Sequence, residues 1–433
     1  MDLTRRKQEE EACKTRDWGI SICLPAVIDH LSVYISYRIL HTTKNFPSGD
    51  RGMKYYIISG EASGDLHGSN LIKELYKQDA SANIRCWGGD LMQAAGATLV
   101  KHYRELAFMG FVEVIKNLPT ILSNIKFCKE DILAFNPDVI VLIDYPGFNL
   151  RIAEWGKQKG FKIVYYISPQ VWAWKENRVK KMKQCIDKML VILPFEKDYY
   201  KNKWNWDVEY VGHPLVEVVE ESRLKAEAVR RKEEGQDLLP QTLNLKPSIA
   251  LLPGSRKQEI TKKLPIMLEV AKSFPDYQFV VAKAPGQEDE FYTPFLSAYN
   301  NVSAVRNDTY NLLMQSKAAL VTSGTATLET ALFAVPEVVC YKAGTLSYEI
   351  GKRLVNVKFI SLVNLIMDKL VVKELIQQDL TTKNLVTELN ELLNNKVRQQ
   401  QLQEDYVSLK NILSAGGHAS SAAAKSIYAL IKP

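Results

Sequence analysis

From Tyr55 onward the chain alternates short apolar runs with longer segments in which apolar positions recur at helical spacing. That alternation marks strands and crossover helices of a parallel α/β sheet. In the first half, residues 55–59, 139–144, 162–167, 189–193 and 209–211 read as strands, and the first domain ends near Pro214. Residues 217–236 then carry both charge signs at high density with few apolar anchors, which predicts a solvated helix or linker. A second set of strands follows at 248–252, 278–282, 318–321 and 338–341, and residues 402–431 read as helix broken at Gly416-Gly417. The layout predicts an α/β chain of two doubly wound domains facing one another across a cleft. The expected bounds are 53–215 and 246–400, with a charged linker or insertion at 216–245 and a helical tail at 401–433.

Residues 1–52 do not share this rhythm. Met53 leads at once into a strand, so the preceding residues read as an extension or a misassigned start, with a helical arm as the alternative. They lack the order of a signal peptide, because Glu9, Glu10 and Glu11 stand where the basic region belongs. The apolar stretch 18–40 is interrupted by Pro25, Asp29, His30 and Arg38, short of an uninterrupted membrane span. A protein without spans, soluble or peripheral, is expected.

With 433 residues, 46% of them hydrophobic and 24% charged, the chain is long and apolar enough for two ordinary cores. Its net charge of +7 is spread out, which favours phosphate-bearing substrates or an acidic membrane surface over nucleic acid. The cysteines (Cys13, Cys23, Cys86, Cys128, Cys185, Cys340) form neither a C-x-x-C pair nor a cluster with histidine, so neither zinc nor a disulfide framework is indicated and a reducing cytosol fits.

Chemistry gathers where the strands end. The run Ser323-Gly324-Thr325-Ala326-Thr327-Leu328-Glu329 follows one strand and opens a helix. Glycine permits a tight turn, while hydroxyls and free amides at a helix start suit a diphosphate. Glu329, one turn in, either accepts ribose hydroxyls or is an acidic residue favoured by the helix dipole. Arg256, in Leu252-Pro253-Gly254-Ser255-Arg256, either forks onto phosphate oxygens or is a surface arginine after a turn. In the first half, Gly60, Gly64 and Gly68 do not match the dinucleotide fingerprint, which disfavours NAD; Glu61, Ser63 and Asp65 of that turn either line the cleft or, for Asp65, cap a helix. Asp144 ends an apolar strand, where a carboxylate serves as general base or as a cap. Trp172 and Trp174 stack on a ligand or pack in the core, and a lone histidine such as His213 is more often structural. Between 106 and 127, Phe108, Met109 and Phe111 stand among other apolar residues with Lys116 and Lys126 nearby, which suits core packing or a surface that meets lipid.

Taken together, the strings SGEASGDLHG (59–68), FMGFVEVIKNLP (108–119), IDYPGFN (143–149), YISPQVWAWK (166–175), LPFEKDYY (193–200), VGHPL (211–215), LLPGSRKQEI (251–260) and SGTATLETAL (323–332) resemble the lipid-A-disaccharide synthases of Gram-negative bacteria. The resemblance spans residues 53 to about 375 and leaves out 1–52 and the stretch near 217–245. It implies a GT-B fold built of two Rossmann-like domains. The implied reaction is inverting transfer of 2,3-diacylglucosamine from UDP to 2,3-diacylglucosamine 1-phosphate (lipid X), giving UDP and a β-1,6 tetraacyl disaccharide 1-phosphate. By matching positions, Asp144 resembles the general base, while Arg256, Gly324, Thr325, Glu329 and Asn364 fall in the UDP site and Glu61, Ser63 and Asp65 on the acceptor side. Many members carry a second aspartate where this chain has Gly147. The family implies no metal or other cofactor, and a cytoplasmic protein peripheral on the inner face of the inner membrane, with Phe108, Met109 and Phe111 toward lipid. A homo-oligomer is compatible with the sequence. Rival readings are another GT-B enzyme, such as a peptidoglycan-type N-acetylglucosaminyltransferase or a UDP-sugar 2-epimerase, and a non-catalytic membrane-surface binding protein.

Overall fold

The structure, a computed structural model, describes residues 52–106, 118–234, 246–344, 348–349, 353 and 357–432. Among these, the first sheet comprises β1 (Lys54–Ser59), β2 (Asn83–Gly88), β3 (Thr98–His102), β4 (Val139–Ile143), β5 (Lys162–Tyr166), β6 (Lys188–Val191) and β7 (Glu209–Tyr210). All pairs are parallel, in the order β3-β2-β1-β4-β5-β6-β7. Strands β1 and β4 are fully apolar inside and buried on both faces, as a sheet covered by crossover helices requires. The helices are α1 (Ala62–Gln78), α2 (Asp90–Ala94), α3 (Leu118–Phe135), α4 (Pro146–Gln158), α5 (Arg178–Cys185) and α6 (Pro194–Trp204).

The second sheet comprises β8 (Ser248–Leu252), β9 (Gln278–Lys283), β10 (Val302–Arg306), β11 (Ser316–Thr322), β12 (Glu337–Tyr341) and β13 (Lys373–Ile376), again parallel, in the order β10-β9-β8-β11-β12-β13. Strand order reverses between β1 and β4 in one sheet and between β8 and β11 in the other. Open α/β sheets bind ligands outside the carboxyl ends of strands at such reversals. The loops there carry Glu61 and Asp144 in the first sheet, and Arg256 and Gly324 in the second.

Four strands escape the apolar pattern. β3, β10 and β13 are edge strands with half-exposed or charged positions, and β2 is interrupted by Arg85, whose guanidinium pairs with Asp131 at 2.6 Å. The charged stretch is also corrected. Helix α7 (Pro214–Glu234) starts with Val216, Val218 and Val219 buried, and Glu217 accepts the Ser420 amide at 3.0 Å; only its later turns are solvated.

Helices α8 (Lys257–Glu269), α9 (Asp289–Leu296), α10 (Thr309–Gln315), α11 (Thr325–Leu332), α12 (Leu362–Met367) and α13 (Thr382–Asn394) accompany the second sheet. The last two, α14 (Lys396–Ser414) and α15 (Ala419–Ile431), part company. Leu402, Tyr406, Leu409 and Leu413 of α14 enter the second core, whereas Ala423, Ala424 and Ile427 of α15 enter the core of β1 and α1. Residues 401–433 are therefore two structural elements, not a tail. The chain crosses back at Gly416-Gly417, where a Cβ on Gly416 would stand 2.1 Å from the Gly212 amide nitrogen, so two backbones touch only because no side chain intervenes. The Leu413 carbonyl accepts both the His213 amide (3.2 Å) and the Tyr210 hydroxyl (3.0 Å) at this crossing.

Candidate active site

Strand β4 delivers Asp144 in an unusual backbone. Asp144 and Tyr145 have φ of 43° and 49°, consecutive left-handed residues that are not glycine. Each such conformation costs on the order of 1–2 kcal/mol, less for aspartate, so surrounding bonds must hold it. They do: the Asp144 carbonyl accepts the Asn149 amide at 2.8 Å and the Tyr165 hydroxyl at 2.5 Å, and the Tyr145 ring lies against Gly60 and stacks on Phe148 with centroids 5.6 Å apart. Burial, reinforced by the negative charge of Glu61, pushes the Asp144 carboxyl up to about 6, against the pull of the Tyr145 amide. A carboxyl poised there exchanges protons near neutral pH, which suits a general base.

Glu61 and Ser63 are exposed at the head of α1, where a second substrate can meet them. Asp65, assigned to the acceptor side with them, is corrected. It is buried, and its carboxylate accepts the amides of Gly89 (2.8 Å), Leu91 (3.1 Å) and Met92 (3.0 Å), so it caps the start of α2 and has no face left for a ligand.

One buried carboxylate of the first half carries no local sequence signal. Glu196, buried at the head of α6, accepts the Leu193 amide at 3.1 Å and the Trp172 indole at 3.2 Å, and burial pushes its carboxyl up to about 8. Trp172 stands edge-on to Phe195, centroids 5.0 Å apart, and packs against the second core, so it joins the two halves. Trp174 is 47% exposed with the Lys175 ammonium 4.2 Å from its ring centroid, which leaves it free for a ligand. His213 is buried, its Nδ1 accepting the Leu215 amide at 3.2 Å: a structural histidine.

In the second half, Gly324 has φ of 140°, a conformation that side chains rarely adopt, and sets Thr325 exposed at the first turn of α11. Ser323 donates to the Ile360 carbonyl at 2.8 Å and Thr327 to the Gly324 carbonyl at 2.8 Å, which fix the turn. The half-buried Glu329 accepts the Tyr310 hydroxyl at 3.0 Å, and burial raises its carboxyl above the ordinary range. Arg256 caps α8 with its side chain 63% exposed and Glu259 3.6 Å away, a loose pair that an anion can displace.

Beneath these loops lies Lys263, a buried ammonium that donates to the Thr322 hydroxyl, with Glu259 3.9 Å away; burial lowers its pKa. It lines a cavity of about 210 Å³ with Thr322, Ser323, Tyr341 and Gly344. The Glu259-to-Lys263 spacing of one helical turn was its only trace in the sequence. Asn364, matched to the UDP site, is corrected: it is fully buried, donating to the Val372 carbonyl and Glu374 (both 2.8 Å) and accepting the amides of Val371 (2.8 Å) and Val372 (2.9 Å). The Glu374 carboxylate that it meets also accepts the Ile360 and Ser361 amides, beside the carbonyl that Ser323 holds.

Phe108, Met109 and Phe111 lie outside the described residues, as do residues 1–51. Among the described residues no helix is long and apolar enough to cross a membrane.

Two facing α/β halves with loops converging at both reversals place the chain in the GT-B class, and solved structures share the arrangement. UDP-GlcNAc 2-epimerase from Neisseria meningitidis, solved bound to UDP-GlcNAc, superposes with a TM-score of 0.62 at 13% identity, covering 88% of this chain and all of that one. The glycosyltransferase of kitacinnamycin gives 0.58 at 13% identity with the same coverage. At such identity these establish the fold alone. Residues 55–429 match the family model described as lipid-A-disaccharide synthetase. The lipid-A-disaccharide synthase of Geobacter metallireducens is 38% identical over 83% of this chain and 93% of its own length, and that of Syntrophus aciditrophicus is 37% identical over 87% and 97%. The chain belongs to the lipid-A-disaccharide synthase family and is a glycosyltransferase.

Proposed function

We propose that the protein transfers 2,3-diacylglucosamine from its UDP ester to the 6-hydroxyl of 2,3-diacylglucosamine 1-phosphate, with inversion at the anomeric carbon. Asp144 takes the proton of the attacking hydroxyl, the new C–O bond forms at the anomeric carbon, and the bond to the diphosphate breaks with its electron pair leaving on UDP. Arg256 and the free amides of Gly324 and Thr325 meet that charge, and Glu329 accepts the ribose hydroxyls. In this reading no metal or other cofactor takes part. The enzyme works at the inner face of the inner membrane, held peripherally by the segment containing Phe108, Met109 and Phe111.

The observation that carries the reading is Asp144 at the strand reversal, its carboxyl raised to about 6 and its backbone carbonyl held by Asn149 and Tyr165. Asparagine tolerates the left-handed backbone that alanine resists, so Asp144→Asn is the cleaner test. With diacylated UDP-glucosamine and the monosaccharide 1-phosphate, the wild type is expected to release UDP and form disaccharide, and the variant to lose about 10²–10⁴ in turnover with its melting temperature kept. Unchanged turnover removes Asp144 from its role; turnover of UDP-N-acetylglucosamine alone overturns the reaction.

A further inference from the structure

Next to the Asp144 loop, α4 and α5 enclose a cavity of about 230 Å³ that no step above uses. Pro146 and Gly147 form one wall, Leu150 and Met182 supply apolar surface, and Arg151 and Arg178 supply charge. A neighbouring recess of about 470 Å³ shares Glu154, Lys181 and Cys185 with it and adds Lys157 and Lys180. Cations therefore outnumber carboxylates on the combined lining, where Glu154 is the acidic residue.

Pairing spends only part of that charge. Lys181 neutralises Glu154 at 2.6 Å, and Lys157 is taken by Asp187 at 2.5 Å. Arg151 donates to the Gly147 carbonyl, which draws its guanidinium toward the mouth beside Asp144. Arg178 is half-buried and, among the described residues, has no carboxylate within 4.0 Å. A half-buried guanidinium without a counter-ion is unfavourable unless an anion completes it. The amino end of α4, which starts at Pro146, adds partial positive charge to the same mouth. Open space beyond Gly147 leaves that mouth unobstructed.

We propose that this groove seats the phosphate monoester of the acceptor sugar, with Arg178 and Arg151 as its principal ligands. The assignment rests on the disaccharide-forming reading above. Gly147 stands three residues from Asp144, so an acceptor anchored there by its phosphate presents its hydroxyl end to the base. Binding energy at the remote phosphate then orients the reacting oxygen.

Steady-state kinetics of the full chain with the acceptor 1-phosphate and with the same diacylated sugar lacking phosphate test this. Arg178→Ala and Arg151→Ala are expected to raise KM for the phosphorylated acceptor about tenfold or more, with donor KM and kcat little changed, and to leave the unphosphorylated acceptor unaffected. Arg178→Lys, which keeps charge without the fork, should recover part of the loss at an unchanged melting temperature. Equal loss with both acceptors, or no loss with either, overturns the proposal. A phospholipid headgroup is distinguished by vesicles of phosphatidylcholine with and without phosphatidylglycerol: variants that lose only binding to anionic vesicles, with acceptor KM unchanged, overturn it. If the wild type forms no disaccharide, the reaction reading fails by itself. Titration with glucosamine 1-phosphate followed by NMR then reads the groove directly: loss of binding in Arg178→Ala sustains it as a sugar-phosphate site, and retained binding overturns it.

Discussion

Asp144 and Glu61 are two carboxylates whose repulsion is felt in one protonation equilibrium. The Asp144 carboxyl is raised from 3.8 to about 6, so the proposed base is protonated below that pH, and kcat/KM is expected to rise through about pH 6. Glu61→Gln removes a cause of the shift and should move this acid limb to lower pH; a limb that stays in place in a profile from pH 4.5 to 8 would separate the two groups. The sign for folding is the reverse of a salt-bridged carboxylate. Because the folded pKa is raised, the contribution of Asp144 to stability is fully present below about pH 4 and is lost as pH rises through about 6. Asp65 shows the opposite use of a carboxylate, with three amides of the α2 start as partners. Asp65→Ala leaves buried donors unsatisfied and should cost about 2–3 kcal/mol, seen as a lower urea midpoint, while donor KM is unchanged.

Helix α11 and its neighbour α10 form the proposed donor side as a pair of elements. Tyr310 on α10 holds Glu329 on α11, and burial alone would raise that carboxyl further. Tyr310→Phe should weaken UDP binding by about fivefold, measured by calorimetric titration, because the carboxylate loses its orienting donor at a cost of about 1 kcal/mol. Elements were legible where burial on both faces makes a strand apolar throughout, as in β1, β4, β8 and β11. They were illegible where an edge position lets polar residues in, as in β3 and β10. The site follows the same division. Asp144, Arg256 and Ser323 to Glu329 stood out because each directly follows an apolar strand. Glu196 and Lys263 did not, since their roles depend on Trp172 and on Thr322, the latter 59 residues away.

At the scale of the molecule, the carboxyl-terminal helix belongs to the amino-terminal half. α15 packs on α1 and completes the core of Tyr55, Ile57 and Leu71, while α14 stays with the second sheet. A chain ending at Gly417 should therefore lose its first half, exposing that core: low soluble yield or an early separate melting transition is expected, and a single unchanged melt would show that α15 is dispensable.

The order of apolar runs and the short strings after them determined the fold class and the family, because both are carried by patterns within a few positions of the chain. Only the tertiary structure decided which polar residues remain free to act. Asp65 and Asn364 are consumed by amides brought to them by folding, Lys263 and Glu196 are buried by elements distant in sequence, and Arg178 is left without a carboxylate partner among the described residues. A carboxylate or guanidinium acts on a ligand only where the fold has not already satisfied it, and that balance is set by neighbours in space, not by neighbours along the chain.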